Sequence, residues 1–164
     1  MNFLNLPLLA RVRRNHAMEH ATIHVLTTKY RPLKIVGRST FKGFYLYGDL
    51  DTNMVATAAH EALSRLRAGE HHLAVHPNCG TNLVTAGSLA GLATFAALSG
   101  KKKHSWDRLP NALLAATAAL IMAQPLGPLL QAHVTTMANV GGLVIKDVRR
   151  EEHHNVILHF VETG

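Results

Sequence analysis

Two short motifs carry the side chains of this chain that could do metal chemistry. The first is HAMEH at residues 16–20, and the second is HPNCGT at residues 76–81. Together they supply three imidazoles, one carboxylate and one thiol, the groups that bind zinc or a similar divalent transition metal such as iron. We therefore expect the metal ligands to be His16, His20, His76 and Cys79.

The spacing of the first motif suits a helix. Residues four apart lie on the same side of a helix, so His16 and His20 can share one ion. Glu19 is rotated by about 60° from His16 at about 100° per residue. His-x-x-Glu-His is the inverted zinc-protease pattern, in which the carboxylate activates a water molecule. This predicts Glu19 as a general base. A polar helix face with a Glu–His hydrogen bond is the alternative, and His24 is a further ligand or a solvated side chain.

The second motif resembles a ligand loop that leads into a helix. Pro77 stiffens the loop, and Gly80 allows a close approach to the helix that follows. Thr81 or Asn82 can cap this helix, which places Cys79 beside its positive end and favours the thiolate that a metal needs. The alternative is a packed cysteine and a histidine that caps a turn.

The two motifs together carry a resemblance to known bacterial proteins. An early His-x-x-Glu-His followed by His-Pro-x-Cys-Gly-Thr before apolar helices resembles the YqhQ-like membrane proteins, and also a small uncharacterised two-helix bacterial membrane family. The resemblance covers the two motifs and the start of the first apolar run. It implies a metal site without naming a reaction. The residues that carry it are His16, Glu19, His20, His76, Pro77, Cys79, Gly80 and Thr81.

Composition narrows the classes of partner. The 164 residues carry a net charge of +7, with 5% aromatic residues and one cysteine. One cysteine excludes an internal disulfide. The first 80 residues hold ten Lys/Arg against five Asp/Glu, a basic excess that attracts anionic lipid or nucleic acid. Because aromatic content is low and no nucleic-acid motif occurs, we expect a lipid bilayer as partner and no nucleic acid.

Two uncharged runs predict a membrane hairpin. Leu83–Leu98 is slightly shorter, and Leu109–Leu130 slightly longer, than the ~20 residues that cross a bilayer core. Between them lies a basic loop, 101–108, with one interfacial Trp106. A buried helical hairpin in a soluble protein is the alternative. We expect a kink or break at Pro125–Pro128, and Gly87 with Gly91 permits a helix-packed homo-oligomer.

The remaining segments indicate an α+β fold. We expect Asn15 to cap a helix that runs to Lys29, and Asp51 or Thr52 to cap a second helix that ends at Gly69. Hairpins are expected over residues 34–48 and 142–161, and the two can pair into one sheet. The predicted organisation is an N-terminal α+β region (1–80), a membrane helical hairpin (81–135) and a C-terminal β-hairpin (136–164) that completes the N-terminal domain.

These expectations lead to three hypotheses of function. The first is a two-helix membrane protein with a metal-dependent hydrolase site at the membrane surface, its soluble domain being cytoplasmic, where a lone reduced cysteine is stable. The second is a non-catalytic scaffold or accessory subunit with a structural metal, because four protein ligands close a tetrahedral zinc site. The third is a protein without metal. Other polar residues that could contribute to the site are His60, Glu61, Glu70, Gln131, His133, Thr135 and Thr136.

Overall fold

The computed structural model describes residues 6–30, 32–99, 105–153 and 156–164. The chain folds into two units, one formed by residues 1–76 and 132–164 and the other by residues 77–131. We call them the α+β unit and the helical hairpin, and each is described by itself. The lysines expected in the loop at 101–103 lie outside the described residues. The turn of the C-terminal hairpin was expected over residues 151–155; residues 154–155 lie outside the described residues, and residues 151–153 belong to a strand instead.

The α+β unit is built on a four-stranded antiparallel sheet. Its strands are β1 (Val36–Ser39), β2 (Gly43–Tyr47), β3 (Ile145–His153) and β4 (Val156–Thr163). Their order is β1-β2-β4-β3, so β2 pairs with β4, and Leu46 lies opposite His159. The predicted pairing of the two hairpins into one sheet is therefore confirmed, although their residues are separated by about a hundred positions.

Two helices complete this unit, α1 (Pro7–Lys29) and α2 (Thr52–Arg67). They pack with the sheet around a core whose largest buried side chains include Met18, Leu26, Phe44, Leu46 and Leu66. The burial of this apolar surface is the main favourable term that holds helices on sheet.

The two predicted helix caps had different outcomes. Asp51 caps α2 as expected, because its carboxylate accepts hydrogen bonds from the backbone N–H groups of Asn53 and Met54. The prediction for Asn15 was wrong. Helix α1 begins eight residues earlier, with Pro7 in its first turn, where a missing N–H costs nothing. Asn15 is fully buried instead, with its amide donating to the Thr40 carbonyl and its oxygen accepting from the Thr163 hydroxyl.

The helical hairpin consists of α3 (Gly80–Leu98) and α4 (Leu109–Leu130), with a short 3₁₀ turn at Ser105–Arg108. The buried Arg108 donates to the carbonyl of Leu98 and so satisfies the C-terminal end of α3. The α+β class, the two apolar helices and the C-terminal β-hairpin agree with the predicted fold. Of the kink or break expected at Pro125–Pro128, the break was wrong, since α4 runs through both prolines, and the kink stays a prediction. A π-helical turn follows at Gln131–Thr135.

Apart from Arg108 and Gln131, the buried residues of this hairpin are small, and its large apolar residues face outward. Its buried positions are Cys79, Thr85, Arg108, Ala112, Ala123, Gly127 and Gln131. By contrast, Leu83 is 77% exposed and Phe95 is 72% exposed. Both helices, Gly80–Leu98 and the longer segment Trp106–Thr135, are long and apolar enough to cross a membrane.

Candidate metal site in the α+β unit

Four histidine rings gather beside helix α1. His16, His20 and His24 recur every four residues and therefore share one helix face. His76 reaches them from the segment that follows α2. The ring centroids are 4.3 Å apart for His16 and His20, 5.8 Å for His20 and His76, and 4.9 Å for His24 and His76. We call these four residues the histidine cluster.

Backbone carbonyl groups fix three of these rings. The Nδ1 atom of His20 lies 2.7 Å from the Ala74 oxygen, and that of His16 lies 3.0 Å from the Thr135 oxygen. The Nε2 atom of His24 lies 2.8 Å from the Val75 oxygen. Because a carbonyl oxygen only accepts, each of these nitrogens must donate its hydrogen.

This tautomer assignment determines where the lone pairs are. In a neutral imidazole with one nitrogen protonated, the other nitrogen carries the lone pair that a metal needs. His16 and His20 each offer a ring nitrogen, and these two nitrogens lie within 4.8 Å of one another. The carbonyl contacts therefore orient the rings, as hydrogen bonds from the other ring nitrogen of a ligand histidine do in known metal sites.

His76 is held in its neutral form. Burial first, and then charge repulsion from the protonated forms of His24 and His20, lower its pKa to about 4. A neutral imidazole at pH 7 can bind a metal without first losing a proton. The local electrostatics therefore suit metal binding at His76.

Glu19 is also buried, but on the side of α1 that faces strand β1. It is 5% exposed. A Cβ atom added at Gly37 of β1 would lie 2.6 Å from both Cγ and Cδ of Glu19 and still closer to Oε1. Only glycine at position 37 leaves room for this carboxylate. The spacing of the motif could not reveal this contact, because β1 lies 18 residues further along the chain.

Cys79 belongs to the helical hairpin and caps α3 there. Its sulfur accepts a hydrogen bond from the Thr81 backbone N–H at 3.4 Å, so the expected cap at Thr81 or Asn82 was wrong. Asn82 instead donates to the Pro77 carbonyl. The proposed role of Cys79 as a metal ligand stays a prediction, which rests on the three-residue spacing between His76 and Cys79.

Three of the other polar candidates lie at the surface of the α+β unit. Glu70 accepts two hydrogen bonds from the Arg65 guanidinium, which lowers the pKa of the carboxyl group. Glu61 forms an ion pair with Lys29, and His60 is exposed on α2. These residues are parts of a solvated face.

The segment after α4 contributes through its backbone. Gln131 lies in the helical hairpin, where its amide donates to Asn82. Within the α+β unit, Arg13 donates to the carbonyl groups of His133 and Thr136, and these bracket the Thr135 carbonyl that contacts His16. One feature of the sequence points to Arg13, which lies three residues before His16 and so on nearly the same helix face.

Comparisons with known proteins assign this α+β chain to a family. The chain belongs to the family described as a domain of unknown function (DUF6391), which matches residues 11–148. It is also 40% identical over 135 residues to an uncharacterized protein of Picosynechococcus sp., with 76% of this chain and 65% of that protein covered. No solved structure matches. The expected uncharacterised bacterial family is thus confirmed, whereas the YqhQ-like resemblance is not shown.

Proposed function

We propose that this chain is a membrane-associated metalloprotein whose α+β unit binds one zinc ion, or another divalent transition metal such as iron, through His16, His20 and His76. The observation that carries the proposal is the histidine cluster with its backbone-fixed tautomers. A surface histidine without a metal gains little stability when its ring is held in one orientation. A metal, by contrast, needs each ring to present one lone pair in a set direction. The fourth imidazole, His24, lies against His76 and is a further candidate ligand.

The activity that we propose for this site is hydrolysis. Three histidines leave a fourth tetrahedral position open to water or substrate, as in catalytic zinc sites. A bound zinc ion would supply Lewis-acid polarisation of the substrate. Glu19 is the residue of this chain that would take the proton from the attacking water, consistent with its place in the His-x-x-Glu-His motif.

The alternative is a structural metal in a scaffold or accessory subunit. Two observations favour it. His24 can supply a fourth imidazole within the cluster, and Cys79 a thiolate three residues after His76; either would close the tetrahedron. In addition, the Glu19 carboxylate packs against Gly37, a contact that fits a positioning role as well as a chemical one.

The bilayer is the partner that we propose for the helical hairpin. Its large apolar residues are exposed while its helix contact uses small residues, the pattern of helices that pack in lipid. Both helices would span the membrane, with the α+β unit in the cytoplasm. Gly87 and Gly91 have open space where a Cβ atom would stand, so this face of α3 can accept a second copy of the chain.

Elemental analysis tests the metal. We would purify the full chain in detergent and compare wild type with His20→Ala, His24→Ala, Cys79→Ala and Glu19→Gln, using His60→Ala as the matched control on an exposed histidine. We expect about one metal ion per chain in wild type and in His60→Ala, and a loss in His20→Ala. Wild type without metal after reconstitution with zinc or iron would overturn the proposal.

The remaining variants separate the two roles. A catalytic site predicts that Glu19→Gln keeps the metal and loses activity against a panel of peptide, ester and phosphoester substrates. A structural site predicts that His24→Ala or Cys79→Ala releases the metal and lowers the melting temperature, and that wild type turns over none of the panel.

A further inference from the structure

A cavity of the α+β unit lies at the start of α1, and none of the residues of the histidine cluster line it. Its volume is about 350 Å³, and it is lined by Arg11 and Arg14 of α1 together with Pro7, Leu143 and Thr163. Arg11 and Arg14 are three residues apart and therefore share a helix face. The cavity thus presents two guanidinium groups side by side.

Within the described part of the chain, neither arginine forms an ion pair with a side-chain carboxylate. Arg11 donates to the backbone carbonyl of Thr163 at 3.0 Å, which orients its guanidinium but adds no negative charge. The Arg14 guanidinium lies against Gly141, and the φ of 55° at this position is one that favours glycine over other residues. The Nε atom of Arg14 is buried and has no hydrogen-bond partner within the described part of the chain.

Charge indicates what would fill this cavity. Among the described residues that line it, no side chain is a carboxylate. A terminal carboxylate at Gly164 would carry one negative charge, which balances only one of the two arginines. An anion with several acceptor oxygens would balance this positive charge, and paired guanidinium forks match phosphate in particular.

We infer that this cavity binds a phosphate group through Arg11 and Arg14. Apolar side chains flank it at the start of α1, where Leu8 is 70% exposed and Leu6 is 38% exposed. A cationic site beside exposed leucines is how interfacial helices hold an anionic phospholipid. Phosphate on a lipid headgroup and free phosphate share the same recognition chemistry, so the experiment has an arm for each.

Isothermal titration calorimetry on the full chain in detergent tests the inference without reference to the metal. The ligands are dihexanoyl phosphatidic acid, inorganic phosphate and, as the zwitterionic control, dihexanoyl phosphatidylcholine. The variants are Arg11→Gln, Arg14→Gln and Arg14→Lys, which keeps the charge and loses the fork. Arg38→Gln, on an exposed arginine of β1, is the matched control.

We expect saturable binding of phosphatidic acid that Arg11→Gln and Arg14→Gln each weaken by about tenfold or more, the loss of one charge-assisted hydrogen bond. Arg14→Lys should also weaken binding, and Arg38→Gln should stay within about twofold of wild type. Tighter binding of phosphatidic acid than of inorganic phosphate assigns the site to lipid, and equal binding assigns it to free phosphate. No saturable binding, or wild-type affinity in folded Arg11→Gln and Arg14→Lys, would overturn the inference.

Discussion

The contact between Glu19 and Gly37 gives the sharpest test of how the first motif is held. In Gly37→Ala, the new methyl group would stand 2.6 Å from both Cγ and Cδ of Glu19, whereas unstrained carbon atoms keep about 3.5–4.0 Å. The side chain or β1 must therefore move by roughly 1 Å. Because Glu19 is 5% exposed, its side chain has little open space to enter.

Overpacking of this kind costs about 1–3 kcal/mol. For a unit of about a hundred residues, each kcal/mol shifts the melting temperature by roughly 4–8 °C, so Gly37→Ala should melt at least about 4 °C below wild type. Glu19→Ala removes the atoms that clash. In that background Gly37→Ala should cost less than about 0.5 kcal/mol, which makes the coupling energy of the double-mutant cycle about 0.5 kcal/mol or more.

The assay is thermal unfolding of detergent-purified protein, followed by circular dichroism in the presence of a chelator, for all four members of the cycle. The chelator removes any bound metal, so that differences in metal affinity do not contribute to the four melting temperatures. The reasoning is refuted if Gly37→Ala melts within 1 °C of wild type, or if it loses as much stability without the Glu19 side chain as with it.

Three further predictions concern other buried groups. Asn15→Ala should lower the stability of the α+β unit by about 1–3 kcal/mol in denaturant titration, because it removes two buried hydrogen bonds; an unchanged midpoint would contradict the assigned contacts. Metal-free protein should lose stability as pH falls from about 6.5 towards about 4. Burial lowers the pKa of His76 to about 4 and also lowers the pKa of His159, so in this range the unfolded chain binds more protons than the folded one. Melting temperatures at pH 7.5 and 5 check this, and a rise on acidification would reverse the sign. Gly127→Val should lower the melting temperature of the helical hairpin, because a Cβ atom there would lie 3.0 Å from Cγ and 3.3 Å from Cα of Asn82; an equal melting temperature would exclude this close contact.

The sequence predicted the features that depend on local periodicity. His16 and His20 are on one helix face because four residues make slightly more than one turn. Asp51 caps α2 because its carboxylate bonds only to its near neighbours. The apolar runs predicted α3 and α4 because length and composition suffice for that purpose.

The features that the sequence could not predict depend on distant partners. Asn15 was expected at a helix end, where asparagine is common. Its real partners, Thr40 and Thr163, lie 25 and 148 residues away, and no local pattern encodes that pairing. The same holds for Gly37, because its contact with Glu19 joins residues that lie 18 positions apart.

The carbonyl groups that hold the histidine cluster link metal binding to folding. Those of Ala74 and Val75 come from the segment after α2, and that of Thr135 comes from the segment before β3. All three must be in place before His16, His20 and His24 present their lone pairs together. Since the unfolded chain has no such preformed site, the free energy of metal binding adds to the free energy of unfolding. A ligand substitution should therefore lower metal content and thermal stability in parallel, whereas Glu19→Gln, if its role is chemical, should lower activity alone. That difference, rather than the loss of function itself, separates a catalytic centre from a structural one.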